Sequence, residues 1–190
     1  MRPDIVPGAA LPDFELPDQT GVSRRLSGLQ GNDPMCLMLA RGNYCPKDNR
    51  QHIWMAAMEP EIKVSYSRVL TISTDDRWGC LEWQSILGVS WPFLSDTQRL
   101  IQKELDIQEY TDPHNDPMIP HTLMLEPGLV IHSIYNGYWY WGRPTPDEVR
   151  RDFRAISRKI RPDWDLAAPG LREEWEAGER GRFWPYQGRG

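Results

Sequence analysis

A chain of 190 residues with 39% hydrophobic and 26% charged residues has the composition of a soluble globular protein, with room for one domain and an appendage. Its net charge of −5 argues against nucleic acid or an acidic membrane surface as a general partner. The three cysteines, Cys36, Cys45 and Cys80, are an odd number without zinc-like spacing, which argues against a disulfide framework or a structural metal and leaves the thiols free. The first residues lack the apolar core of a signal peptide, and no run approaches the ~20 apolar residues that span a bilayer. The expected location is the cytoplasm, where a cysteine is more often catalytic or redox-sensing than structural. No motif calls for a metal or a cofactor.

Residues 1–34 are rich in Pro, Gly, Asp and Ser. Phe14-Glu15-Leu16 and Arg25-Leu26 around the turn Pro17–Gly21 predict a hairpin at a sheet edge. Met35–Ala40 is a short apolar run suited to a buried strand, and a helix follows from Pro46, with Ile53, Trp54, Ala57 and Met58 on its apolar face and Pro60 set to kink or end it. Arg68–Ser73 is a second strand, and the helix between the two implies a parallel, right-handed crossover. Thr74-Asp75-Asp76 caps a helix carrying Trp78, Leu81, Trp83 and Ile86 that stops near Gly88. Trp91–Asp96 is a short extended piece, and Ser95 or Asp96 caps a helix through Leu100, Ile101 and Leu105.

Three prolines make residues 109–120 a loop, and loops carry sites. Thr122–Leu125 and Val130–Tyr135 flank Pro127-Gly128, predicting an antiparallel hairpin. Thr145, Pro146 and Glu148 open a last helix with the stripe Val149, Phe153 and Ile156. The domain is therefore assigned to residues 1–160. Residues 161–190 form an aromatic-rich tail, and Trp164, Trp175 and Trp184 predict that it packs on the domain or on a second subunit.

Cys45 stands between the first buried strand and its helix, and Pro46 suits the first helical position. The free N–H groups and the positive end of the helix dipole then face the sulfur and favour its thiolate. Cys36, inside an apolar strand, is expected to be a small core residue. The histidines lack metal-ligand spacing; His121 is the one placed to approach the sulfur. The aromatic run Tyr138–Trp141 and Arg143 follow the hairpin and can wall the site.

Pro12-Asp13-Phe14-Glu15-Leu16-Pro17-Asp18, Arg41-Gly42-Asn43-Tyr44-Cys45-Pro46 and Phe93-Leu94-Ser95-Asp96, in this order of elements, resemble the peroxiredoxin branch (alkyl hydroperoxide reductase and thiol-specific antioxidant) of the thioredoxin-like fold over residues 5–160. The resemblance implies an α/β three-layer sandwich with a mixed central sheet, an N-terminal hairpin and an extended C-terminal tail. It implies a thiol peroxidase with Cys45 as the peroxidatic nucleophile and Pro120 as the cis-proline facing the sulfur. Gly42, Asn43, Tyr44, Pro46, Pro120 and His121 then line the substrate site. Its partners are a small hydroperoxide and an external thiol reductant, thioredoxin-like or of low molecular weight, with a homodimer as one assembly.

The sequence departs from the family pattern at three places. Gly42 stands where a Thr or Ser hydroxyl is usual, Asp48 puts a carboxylate near the sulfur and opposes the thiolate, and Pro120 stands about where a strand arginine is expected. Arg41 and Arg143 are the candidate substitutes for that arginine, and Cys80 is a candidate resolving cysteine. The competing expectation is a non-catalytic thioredoxin-fold interaction module with a degenerate site.

Overall fold

The computed structural model describes residues 1–179; Trp184 lies outside the described residues. A five-stranded sheet forms the middle layer, with β3 (Met35–Ala40), β4 (Arg68–Ser73), β5 (Phe93–Ser95), β6 (His121–Glu126) and β7 (Val130–Asn136) in the order β5-β4-β3-β6-β7. β3, β4 and β5 are parallel, whereas β6 and β7 run antiparallel to their neighbours. The mixed sheet and its crossovers follow the expected thioredoxin-like plan. β1 (Glu15–Pro17) and β2 (Ser23–Arg25) form the predicted hairpin as a separate ribbon, tied to the sheet edge by a bridge between Asp18 and Leu94.

Strand β3 shows why the sheet lies between two layers. Its side chains alternate in direction, so Met35, Leu37 and Leu39 enter one core while Cys36, Met38 and Ala40 enter the other. The first core takes in Leu26 of α1 (Leu26–Gln30), Ile101 of α4 (Leu100–Glu104), and Ile107 and Met118 of the long loop. The second is closed by α2 (Pro46–Val64), α3 (Arg77–Leu87) and α5 (Pro146–Ile160). Each large apolar side chain so enclosed contributes about 1.5–3 kcal/mol.

The caps of α3 and α5 lie where the sequence puts them. Asp76 accepts from Gly79 N at 2.8 Å, Gly88 ends α3 in a left-handed conformation, and Thr145 and Glu148 form a reciprocal capping box on α5. At α4 the N-cap position is Arg99 rather than Ser95 or Asp96, but the Asp96 carboxylate reaches forward to accept from Leu100 N and Ile101 N at 2.7 and 3.0 Å.

Four expectations are corrected. Leu26 opens a short helix rather than continuing a strand. Pro60 lies inside α2 and does not end it, because its ring costs one backbone hydrogen bond while the next turn still buries Ile62. The inner face of α2 is Asp48, Gln51, His52, Met55, Met58 and Ile62, a third of a turn away from the purely apolar stripe, and Ile53 faces solvent. On α3, Cys80 and Trp83 face inward while Trp78 and Ile86 are exposed. Beyond α5, Trp164 in the turn Pro162–Trp164 packs 5.6 Å from the Tyr66 ring, with Arg161 stacked over it, and α6 (Leu171–Glu176) follows.

Candidate active site

The parallel strands β3 and β4 end side by side, pairing Ala40 with Ser73, and the segments that follow meet there. The β3–α2 segment is fastened to the β4–α3 loop by Asn43 N donating to Asp75 Oδ2 at 2.7 Å, and by the Thr74 hydroxyl donating to Arg41 O. Asn49 Nδ2 reaches back to Asn43 O at 2.6 Å and Cys45 O at 3.2 Å. Cys45 is the N-cap of α2, with extended backbone angles and Pro46 in the first helical position, and it is only 2% exposed. Its sulfur is thus held at a helix N-terminus by a hydrogen-bonded collar.

Gly42 is required by this collar. Its φ is +144°, and a Cβ there would stand 2.9 Å from the Tyr44 ring and 3.0 Å from Asp75 Oδ1. The hydroxyl residue expected from the resemblance does not fit this backbone.

Arg41 lies beside the sulfur. Burial works against its charge, but Tyr44, Glu109 and Cys45 hold its pKa above the ordinary arginine value. Its Nη2 donates to Glu109 Oε1 at 3.1 Å and Asp112 Oδ2 at 3.2 Å, and Tyr44 OH donates to the same Asp112 oxygen at 3.3 Å. Arg41 Nε lies 2.9 Å from Glu109 Oε2, but its N–H is not aligned for a hydrogen bond and is left without an acceptor. Burial raises the Tyr44 phenol, so it remains a donor. Glu109 and Asp112 come from the proline-rich loop; their acidity beside an expected cation is the only sequence signal for them.

Asp48 is corrected most sharply. Its carboxylate does not stand unmatched near the sulfur. One oxygen is ion-paired with Arg143 Nη2 and the other accepts from Arg41 N at 2.8 Å. Arg143 is brought in by the 136–143 loop, where its Nη1 donates to Gly137 O at 3.0 Å and Trp139 O at 2.8 Å. Within that loop a Cβ on Gly142 would run into Asn136 O. Arg143 Nε is buried with no acceptor.

Below this pair, His52 Nδ1 donates to Asp48 O at 2.8 Å, so its Nε2 accepts from Thr71 Oγ1 at 3.0 Å, and Trp91 Nε1 donates to the same hydroxyl at 3.1 Å. Burial pushes His52 down to about 4. The apolar-stripe reading of α2 missed His52 and Gln51, although their 3- and 4-residue spacing from Asp48 marks the same face.

The remaining candidates separate. Pro120 lines a cleft of about 430 Å³ together with Arg41, Lys47, Trp139 and Arg143, but its peptide bond is trans, contrary to expectation. It accepts from Gly137 N at 2.7 Å, anchoring the Arg143 loop to β6. His121 is buried at the start of β6, donates Nδ1–H to Ile119 O at 2.8 Å, and has its pKa lowered by burial. Cys80 is fully enclosed under α3, its Sγ 3.8 Å from Asp75 O, and burial raises its thiol pKa. Cys36 is likewise buried and pushed up to about 12. Among the described residues no group of three or more His, Cys, Asp and Glu side chains stands where it could hold a metal ion, and no helix is long and apolar enough to cross a membrane.

The model of the AhpC/TSA family matches residues 7–134. Two proteins of Mycobacterium tuberculosis strains, each named a putative peroxiredoxin, are 31% identical over 102 residues; the match spans 53% of this chain and 66% of theirs. Among solved structures, peroxidoxin BcpB of Mycobacterium tuberculosis superposes with a TM-score of 0.70 at 22% identity, over 79% of this chain and 97% of that one. The C45S mutant of peroxiredoxin 6 from Arenicola marina gives 0.70 at 17% identity, over 93% and 87%. A yeast mitochondrial 1-Cys peroxiredoxin gives 0.68 at 16%, over 86% and 84%. At these identities the likeness to solved structures is one of fold.

Proposed function

The chain belongs to the AhpC/TSA family, and we propose that it is a thiol peroxidase whose nucleophile is Cys45. The observation that carries this reading is the Arg41 guanidinium beside the Cys45 sulfur, at the N-terminus of α2.

In this reaction the Cys45 thiolate attacks the terminal oxygen of a hydroperoxide. The S–O bond forms, the O–O bond breaks, sulfur is oxidised to the sulfenic acid, and the leaving alkoxide or hydroxide takes a proton to become alcohol or water. Arg41 and the helix N-terminus supply fixed positive charge where negative charge shifts from sulfur to the leaving oxygen. Arg143 acts one step back: by pairing Asp48 it keeps that carboxylate from opposing the thiolate.

Reduction then falls to an external thiol. The first thiol condenses with the sulfenic acid, releasing water and leaving a mixed disulfide; a second thiol attacks this and returns Cys45 as thiolate. The enclosed Cys80 favours this route over an internal disulfide. The yeast relative named above is resolved through glutathione/thioredoxin systems, and reductants of those kinds suit this chain. Three unpaired thiols fit a reducing, cytoplasmic setting.

The test is consumption of hydrogen peroxide or cumene hydroperoxide by purified protein with dithiothreitol. Turnover that Cys45→Ser abolishes is expected; absence of turnover, or full activity in Cys45→Ser, overturns the assignment.

A further inference from the structure

The turn that carries the sulfur hangs from one carboxylate. Among the described residues, the backbone of residues 42–45 makes a single hydrogen bond to a group outside the turn and α2, from Asn43 N to Asp75 Oδ2 at 2.7 Å. Its other backbone bonds are local. Cys45 N donates to Gly42 O at 3.1 Å, and Asn49, which moves with α2, reaches Asn43 O and Cys45 O. The second carboxylate oxygen also packs against the turn, since a Cβ on Gly42 would stand 3.0 Å from Asp75 Oδ1.

Asp75 is itself fixed from behind. Its carbonyl accepts from Ser95 Oγ of β5 at 2.7 Å and lies 3.8 Å from Cys80 Sγ of α3. Its N–H donates to Ser73 Oγ at 3.2 Å, and that hydroxyl donates to Asp75 Oδ2 at 2.7 Å. Arg99 Nη1 holds the neighbouring Thr74 O at 3.0 Å. Gly79 of α3 closes the remaining side, where a Cβ would stand 3.1 Å from Asp75 Cβ. A carboxylate held in backbone and side chain alike carries the position of β4 and β5 to the residues just before the sulfur.

We infer that Asp75 is a positioning residue of the peroxidase, aligning the Cys45 sulfur with the O–O bond through the Asn43 N–H. The role rests on the peroxidase reading and adds to it a residue that acts through the backbone rather than on the sulfur. Attack along the O–O bond depends on where the sulfur stands, and a misplacement of about 1 Å costs on the order of 10²-fold in rate. Geometry and charge act in opposite directions here. Removing a carboxylate near the sulfur favours the thiolate, so a slower reaction without Asp75 is not a loss of thiolate.

The test is the pH–rate profile of Cys45 oxidation by hydrogen peroxide, followed by tryptophan fluorescence, with a urea midpoint for each variant. Asp75→Ala is expected to lower the plateau at full ionisation by about tenfold or more without raising the midpoint pH. Asp75→Asn keeps an acceptor for Asn43 N–H and is expected to stay within about threefold of wild type. Gly79→Ala favours the helix but pushes on Asp75 without removing it. Its plateau is expected to fall about threefold with the urea midpoint unchanged or higher. A wild-type plateau in Asp75→Ala, or Asp75→Asn as slow as Asp75→Ala, overturns the role, as does a loss confined to stability. If Asp75→Ala does not fold, the plateau of Gly79→Ala decides. Wild-type protein that does not react with peroxide overturns the peroxidase reading as well, whereas a wild-type reaction that these substitutions leave unchanged overturns the role of Asp75 alone.

Discussion

Asp48 and Arg143, 95 residues apart in the chain, form an ion pair whose side chains are 2% and 3% exposed. One residue comes from the first turn of α2 and the other from the loop after β7, so the pair joins the cysteine helix to the far edge of the sheet. Breaking it by removing one partner leaves the other charge buried and uncompensated, at a cost of about 3–5 kcal/mol. Asp48→Asn and Arg143→Met should each lower unfolding stability by that order, measured by urea denaturation. The double variant Asp48→Leu/Arg143→Met should be more stable than either single variant, since no lone charge remains.

Restoring the family's usual hydroxyl at position 42 should harm the protein. Gly42→Thr places a Cβ against the Tyr44 ring and Asp75 at a φ of +144°, and should lower stability by about 2 kcal/mol or more. Peroxidase turnover should fall with it. Relieving the clash with Tyr44→Ala should recover only part of the loss, because the backbone strain stays.

His52 predicts a dependence on pH. Its folded pKa of about 4 lies below the ordinary 6.5, so between these values the unfolded chain binds a proton that the folded chain refuses. Stability is complete above pH 6.5 and falls as the pH drops through 4, by about 3 kcal/mol in all. The charges acting on the ring are Asp48, which raises its pKa, and Arg143, which lowers it, and its other neighbours Thr71, Trp83, Trp91 and Phe93 are neutral. Urea midpoints of wild type and His52→Gln should converge toward pH 4, the difference between them isolating this histidine from other titrating groups.

The buried Cys80 predicts which oxidised species accumulates. To reach Cys45 it would have to leave the core with Trp83 as the first turns of α3 unwound. Peroxide without reductant should therefore give a Cys45 sulfenic acid that dimedone traps, seen by peptide mass mapping, and no Cys45–Cys80 disulfide. Cys80→Ala should keep turnover with dithiothreitol, at about 1 kcal/mol less stability for the vacated space.

Much of this arrangement could be read from the chain. β3 and β4 are largely apolar runs buried on both faces, and the caps at Asp76 and Thr145 obey local hydrogen-bonding rules that need only a few consecutive residues. The inner face of α2 could not be read from hydrophobic spacing, because Asp48, Gln51 and His52 are polar residues made fit for burial by partners elsewhere. Arg41 and Arg143 were visible as candidates, but not the division between them: one guanidinium attends the sulfur while the other attends a carboxylate. That division depends on contacts between distant segments. The trans bond before Pro120 likewise depends on how the long loop enters β6, not on the proline alone.

The 136–143 loop has a further consequence for how this chain can change. Arg143 reaches Asp48 only because the loop closes so tightly that Gly142 has no room for a side chain and Gly137 is tied to Pro120. Insertions or larger residues there would withdraw the guanidinium without touching the cysteine helix. In a saturation scan for activity, Gly142 should thus tolerate as little as residues next to the sulfur, and any lineage that lengthens this loop would have to lose the acid at position 48 as well.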